Sequence, residues 1–541
     1  MRSEFLHGEQ ALAYGAWAAG VRVVTGYPGS PSSGVVEHLL AISAPDEVHI
    51  QWSANEKVAL ETALGASLAG ERALVCMKSV GFNIALDPVM TANLTGVEGG
   101  LVILVGDDPG AWVSQNEQDS RYLAAFAELP LLEPASPAEG AAIMRAAFHL
   151  SQEMQLPVVV RETRGFSWER GMVPPLVRVS SRGAEFSSRG LRWVSLPFNV
   201  VANHGRLHAR LRQVAARFER CPFNATEGRG SLGIVAAGFA QAKLRQALPG
   251  EIPADVSVLK LSTLYPLPDE LLAAFLSNKE RVLVLEETEP FLEERLRSLA
   301  QRRGLALNIQ GKETGILPRE GALTVEQTRA ALAELRGESV SETIGSARQE
   351  AVRPSQQGLC EGCFYTPLFQ TLQDTLTALE LPAVICADPG CAIRIYQPPF
   401  EMLDVKHSMG SAIGLASGLW LAGMDRLPIA LVGDSSFFHT GLNGLLSAVA
   451  SGARILVLIL DNGSAAMTGG QPHPGSGRDA RGSRARAVQL EALLEACGVD
   501  HLATIDPTDR LATGRAVHQA LQAEGLRVII ARGKCSRAGQ S

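Results

Sequence analysis

Asp434 and Asn462 close two apolar runs, Leu431-Val432-Gly433-Asp434-Ser435-Ser436 and Leu458-Ile459-Leu460-Asp461-Asn462-Gly463-Ser464, with a helical pattern over Thr440–Ser451 between them. If both runs are strands of one parallel sheet, a right-handed crossover brings their carboxyl ends to the same edge. A carboxylate and an amide oxygen can then face one hard cation. Magnesium takes few protein oxygens and completes its shell with phosphate oxygens, so the chemistry indicated is a metal-bridged diphosphate. Gly433 and the start of the following helix would leave backbone N–H groups for the anion. Gly-Asp at a strand end is by itself only a turn; the Asn partner at this spacing favours the site.

A second group able to do chemistry is Cys360-Glu361-Gly362-Cys363 with Cys391 and Cys535. Four thiolates suit a 4Fe–4S cluster, for which one close pair and two distant ligands is an allowed pattern. Zinc is the alternative, and unligated thiols are the third reading. Cys386 sits in the apolar run Ala383–Ala387 and reads as buried and inert. Cys76, Cys221 and Cys497 are isolated and read as packing or surface residues. Eight cysteines in 541 residues make no disulfide scaffold.

The elements that must position these groups are short apolar runs alternating with helical patterns, the mark of parallel sheets covered on both faces. Val21–Thr25, Ala73–Met77, Leu101–Val105 and Pro157–Arg161 read as strands of a first α/β domain over 1–175, with helices at Glu9–Ala19, Glu56–Ala69 and Pro137–Met154. A connecting segment, 176–228, carries an amphipathic stretch, His204–Arg217. A second domain over 229–335 has strands at Leu232–Ala236, Val256–Lys260 and Val282–Glu286. A polar linker over 336–357 leads to a third domain, 358–541, with strands at Ala383–Ala387, Pro428–Val432, Ile455–Leu460 and Arg527–Ala531. The fold class is therefore α/β with three consecutive domains. A net charge of -7 gives no reason to expect nucleic acid or an anionic membrane as partner. The apolar runs are too short to span a bilayer, and Met1 to Gly8 carries no basic-then-apolar leader pattern, so a cytoplasmic protein is expected.

The Gly433-Asp434 … Asn462 pattern resembles the thiamine diphosphate signature, a Gly-Asp-Gly start closed by Asn, with Ser435 in place of the second glycine. That resemblance implies magnesium held by Asp434, the Asn462 side chain and the Ser464 carbonyl. Thiamine chemistry also needs a carboxylic acid against the pyrimidine N1′, and a buried carboxyl among apolar groups keeps its proton. Glu56, in Ala54-Asn55-Glu56-Lys57-Val58-Ala59, is the candidate. The same segment could simply be a helix start, with Asn55 as cap and Glu56 favouring the dipole.

Further stretches make the resemblance closer: Tyr27-Pro28-Gly29-Ser30-Pro31-Ser32, Met77-Lys78-Ser79-Val80-Gly81-Phe82-Asn83, Gly106-Asp107-Asp108-Pro109-Gly110, Ser114-Gln115-Asn116-Glu117-Gln118-Asp119 and Met467-Thr468-Gly469-Gly470-Gln471-Pro472-His473-Pro474. Over most of its length the chain resembles the alpha subunits of indolepyruvate ferredoxin oxidoreductases. The resemblance implies a first domain that binds the aminopyrimidine through Glu56, a middle domain like the carboxyl-terminal domain of transketolases, and a last domain that binds the diphosphate. It implies Ser30 beside the substrate, and Lys78 and Asn83 in a loop near cofactor and substrate. The stretch Glu286–Pro290 matches without an assigned role.

The implied reaction is oxidative decarboxylation of an aryl pyruvate to an acyl-CoA, with electrons passing through an iron–sulfur cluster on Cys360, Cys363, Cys391 and Cys535 to ferredoxin or another subunit. A smaller beta-type subunit and pairing of two catalytic chains are the implied partners. The family usually continues into a ferredoxin-like domain with two further cysteine-rich motifs. This sequence stops at Ser541, shortly after Cys535, which implies export of electrons from a single cluster. A non-oxidative thiamine decarboxylase and a non-catalytic subunit of the same fold are the competing readings.

Overall fold

The computed structural model describes residues 3–180, 183–186, 192–338 and 358–535. The chain forms two compact units, Met1–Gln51 with Glu56–Arg353, and Trp52–Asn55 with Pro354–Ser541. The expected linker lies outside the described residues from 339 on.

In the first unit, β-branched apolar runs buried on both faces build a seven-stranded sheet. Its order is Thr263–Tyr265, Leu131–Leu132, Val158–Thr163, Leu101–Asp107, Ala73–Lys78, Val23–Gly26 and His49–Trp52. The strands from Leu131–Leu132 to Val23–Gly26 pair in parallel. Thr263–Tyr265 adds an antiparallel edge. A second sheet runs Asn308–Gln310, Arg281–Leu285, Leu232–Ala237, Val256–Leu261 and Ala225–Gly228, the last antiparallel. The chain passes from the second sheet into the first at Ser262, which is fully buried. One apolar cluster, including Val105, Leu131, Val235, Leu259 and Leu261, is shared by both sheets. Helix starts follow local chemistry: the Ser136 hydroxyl accepts from the Glu139 N–H ahead of Pro137–Met154, and Thr324 and Gln327 form a reciprocal cap on Val325–Arg336.

This unit also buries charge. Arg161 meets Asp107 and Glu133, each at 2.7 Å, and Arg121 meets Glu286 at 2.7 Å and Asp119 at 2.5 Å. Burial pushes Asp119 up, but Arg121 and Arg161 outweigh it and hold the carboxyl well below the usual range. Glu286 accepts the N–H groups of Leu292 and Glu293, at 2.8 and 2.9 Å. The Glu286–Pro290 stretch thus has a structural place: its first acid neutralises a buried guanidinium.

The second unit holds one six-stranded, all-parallel sheet in the order Val405–Lys406, Ala383–Ala387, Leu427–Gly433, Leu456–Asp461, Arg527–Arg532 and His501–Ile505. The architecture is α/β throughout. Among the described residues no helix is long and apolar enough to cross a membrane.

Candidate active site

Leu427–Gly433 and Leu456–Asp461 are adjacent parallel strands, and the residues following them, Asp434 and Asn462, stand side by side at the carboxyl edge. Asp434 is buried. One carboxylate oxygen accepts the N–H groups of Asn462 and Gly463, at 2.9 and 2.7 Å, and the other accepts that of Ser435 at 2.8 Å. The Asn462 side-chain oxygen accepts the Ser464 hydroxyl at 2.8 Å, and the Ser464 carbonyl accepts the Ala466 N–H at 2.9 Å. The expected ligands Asp434, Asn462 and Ser464 are therefore brought together. A carboxylate, an amide oxygen and a backbone carbonyl within one strand-end loop are the hard donors that suit a magnesium ion drawing its remaining ligands from a diphosphate.

One expectation about this loop is corrected. The helix does not begin at Thr440: helical backbone starts at Asp434, widens into a π turn over Phe437–Gly441 and continues as Leu442–Ser451. The wide turn has a tertiary cause. Thr440 turns its hydroxyl to the Met409 carbonyl at 2.8 Å, and Phe437 is fully buried, so this stretch is shaped by tertiary packing rather than by its own period.

Two residues at this edge escaped the sequence reading. His473 places Nε2 3.1 Å from an Asp434 oxygen and stacks on Phe438. Asp388 follows Ala383–Ala387 and accepts the Gly410 and Ala412 N–H groups, at 2.8 and 2.9 Å. Burial pushes Asp388 up to about 7, with those N–H groups pulling the other way. His473 lay in a stretch already singled out, Met467–Pro474, and Asp388 stands three residues before Cys391, but no spacing rule marked either one.

The cysteines converge in the same unit. Burial pushes the Cys391 thiol up to about 11, and Cys363, Cys535, Cys360 and Asp434 add to the shift in that order. Burial also raises Cys363, against the backbone N–H groups of Tyr365 and Thr366. Cys535 reaches the group because Gly533 lets the end of the Arg527–Arg532 strand pass close to the Cys360–Cys363 turn; a Cβ at 533 would sit 2.3 Å from the Phe364 ring. Tyr365, directly after that turn, is buried, and its hydroxyl accepts from the Asn462 amide at 3.4 Å. Cys386 is buried in mid-sheet, and burial pushes its thiol up to about 11.

In the first unit, Glu56 opens the Glu56–Leu68 helix and is buried. Its carboxyl occupies the space a side chain at Gly81 would need: a Cβ there would lie 2.5 Å from the Glu56 Oε1. Lys78 ends its strand and is buried, its ammonium 3.2 Å from the Val113 carbonyl and 3.9 Å from Asp108. Burial lowers the Lys78 pKa, and Asp108 and Asp107 only partly offset this. Ser30 lies in an exposed turn after Val23–Gly26. The expected loop around Lys78 and Asn83 is corrected as well: Lys78 is strand, and Asn83 is an exposed residue of the Ser79–Thr95 helix that donates to Gln118 at 3.2 Å. Phe82, Ala85 and Val89 explain this, since their spacing gives a helix with one buried face. A separate opening of ≈ 270 Å³ is lined by Pro109, Trp112, Arg164, Trp168, Lys243 and Glu287 among others; Pro109 and Glu287 belong to stretches singled out from the sequence, but none of the residues given a catalytic, cofactor or metal role lines it.

Comparison with known proteins places this arrangement. Residues 14–167 match the family described as "Pyruvate flavodoxin/ferredoxin oxidoreductase, thiamine diP-bdg", and residues 388–531 match "Thiamine pyrophosphate enzyme, C-terminal TPP binding domain". The chain is a thiamine diphosphate-dependent 2-oxoacid oxidoreductase. It is 35% identical over 559 residues to the indolepyruvate oxidoreductase subunit IorA of Thermococcus kodakarensis, with 98% of this chain and 85% of that protein covered. The IorA subunit of Pyrococcus abyssi is 36% identical over 565 residues, covering 99% and 86%. The chain belongs to this family of IorA subunits. A solved 2-oxoglutarate:ferredoxin oxidoreductase from Magnetococcus marinus, bound to 2-oxoglutarate, coenzyme A and succinyl-CoA, shares the fold: TM-score 0.50 at 15% identity, over 62% of this chain and 65% of that one.

Proposed function

We propose that this chain is the catalytic subunit of a complex that oxidatively decarboxylates an aryl pyruvate, of the indolepyruvate or phenylpyruvate type, to its acyl-CoA and delivers the electrons to a ferredoxin or a partner subunit. The observation that carries the reading is the convergence of Cys360, Cys363, Cys391 and Cys535 within electrostatic reach of Asp434. A non-oxidative decarboxylase has no use for four thiols beside its diphosphate site. Four thiols suit a 4Fe–4S cluster, which would supply the one-electron carrier that an oxidative reaction needs.

Thiamine diphosphate, when bound, supplies a thiazolium that takes up the electron pair released as carbon dioxide leaves. Asp434, Asn462 and Ser464 would hold its magnesium, and the chain at Gly433 and the helix start after it would receive its phosphates. Glu56 would sit against the pyrimidine N1′, with Gly81 leaving it room. Lys78, buried at its strand end, would face the carboxylate of the 2-oxoacid, with the Ser30 hydroxyl beside it and Asn83 at the rim. The relatives' subunit name supports assembly with a smaller beta-type subunit, and pairing of two catalytic chains belongs to the same reading.

The test is a survey of 2-oxoacids with the purified complex, adding coenzyme A and an artificial electron acceptor separately, alongside iron and sulfide analysis. Aryl pyruvates should reduce the acceptor only with coenzyme A present, with four irons per chain. Aldehyde release without acceptor reduction, or protein without iron, overturns the proposal. Glu56→Gln should retain cofactor and metal and lose turnover; normal turnover in that variant removes Glu56 from its role.

A further inference from the structure

A second set of metal-binding side chains lies in the first unit, away from every residue assigned above. His204 and His208 stand one turn apart on the Pro197–Phe218 helix, so both imidazoles leave the same face. Glu128, just past the Ser120–Phe126 helix and held at φ 54°, turns its carboxylate between them. The His204 Nε2 lies 2.6 Å from one of its oxygens and the His208 Nε2 2.8 Å from the other. The rings sit 4.2 Å apart, and three ligand atoms, one from each residue, fall within 4.8 Å of one another. We infer that Glu128, His204 and His208 form a binding site for a divalent transition metal, zinc by its chemistry, which clamps the Pro197–Phe218 helix to the turn at Glu128.

The donor set decides the class of ion. Two imidazole nitrogens and one carboxylate are borderline ligands that suit zinc and leave a fourth position for water, whereas calcium or magnesium would want more oxygens. The site is reachable: the histidine side chains are 48% and 46% exposed, the glutamate 24%. The role follows from what else holds this helix. It buries Asn203, Leu207, Leu211, Val214 and Phe218 along one stripe, and its outward contacts, such as Arg217 with Glu153, are exposed ion pairs worth little. One metal bridging the helix to Glu128 would add a cross-link that none of those pairs provides.

The experiment titrates zinc into the purified complex, wild type and His204→Ala/His208→Ala, with metal analysis after equilibrium dialysis and thermal unfolding in parallel. The wild type should bind one more zinc per chain than the double variant, and zinc should raise its Tm by roughly 2 °C or more with no such rise in the variant. Cobalt in place of zinc should show weak visible bands without an intense sulfur charge-transfer band, which separates this site from the four cysteines. Glu128→Gln, which keeps both histidines, should weaken zinc binding at least tenfold and serves if the double variant folds poorly. Equal zinc content and equal Tm response in wild type and variants would overturn the site.

Discussion

A cluster of buried acids in the first unit and one buried acid at the candidate site in the second are neutralised by different means. In the first, Asp107, Asp119, Glu133 and Glu286 meet the guanidinium groups of Arg121 and Arg161 directly. In the second, Asp434 is as well buried, yet among the described residues no lysine or arginine pairs with it; backbone N–H groups, His473 and the neighbouring Asp461 carboxyl surround it. A buried carboxylate with an arginine is complete and serves the fold. One held only by dipoles can still accept a cation, and this distinguishes a site from a structural ion pair more sharply than burial alone.

The sharpest way to break that contrast is to neutralise each acid's setting in turn. Asp434→Asn should cut turnover at least a hundredfold and abolish metal-dependent cofactor retention, while the Tm of the metal-free protein changes little; steady-state kinetics and calorimetry check both halves. Arg161→Met should do the reverse. Leaving Asp107 and Glu133 buried without their cation should cost about 3–5 kcal/mol in denaturant unfolding, with the folded fraction retaining its cofactor affinity.

A smaller effect concerns Glu162, fully buried, which accepts from the Ser167 hydroxyl at 2.6 Å. Burial pushes it up to about 8, against that hydrogen bond. Between its ordinary range and about 8 the folded state holds a proton that the unfolded state has released, so stability falls as pH rises through that window and levels off above it. Glu162→Gln should flatten this decline, read as Tm against pH from 5 to 9. Smallest of all, Asn83→Ala removes only an exposed contact to Gln118 and should shift stability by less than about 0.5 kcal/mol; a tenfold or greater fall in kcat/KM would place that amide nearer the reaction than its exposure implies.

What the sequence revealed follows the same physics. Central strands such as Ala73–Lys78, Ala383–Ala387 and Leu456–Asp461 are buried on both faces, so an apolar run announces them. Edge strands such as Thr263–Tyr265, Ala225–Gly228 and His501–Ile505 have one neighbour, are short or largely exposed, and carry no long apolar run to announce them. The Asp434–Asn462 pair was legible because strand ends and crossover handedness fix where it must lie. His473 was not, since a long irregular loop returns it to Asp434 and nothing local encodes that return. Arg121 and Arg161 were equally hidden: a guanidinium at the core can be read only once its acids, distant in sequence, are seen around it.

The crossing at Ser262 bears on how the protein can be cut. The edge strand at 263–265 completes a sheet whose other members all precede residue 164, so a gene fragment ending anywhere in 176–228 would leave Leu131–Leu132 as a bare hydrogen-bonding edge. It would also lay open the apolar surface that Leu259 and Leu261 cover. Such a fragment should self-associate rather than stay monomeric, and dissection of this unit succeeds only if both sheets are produced as one piece.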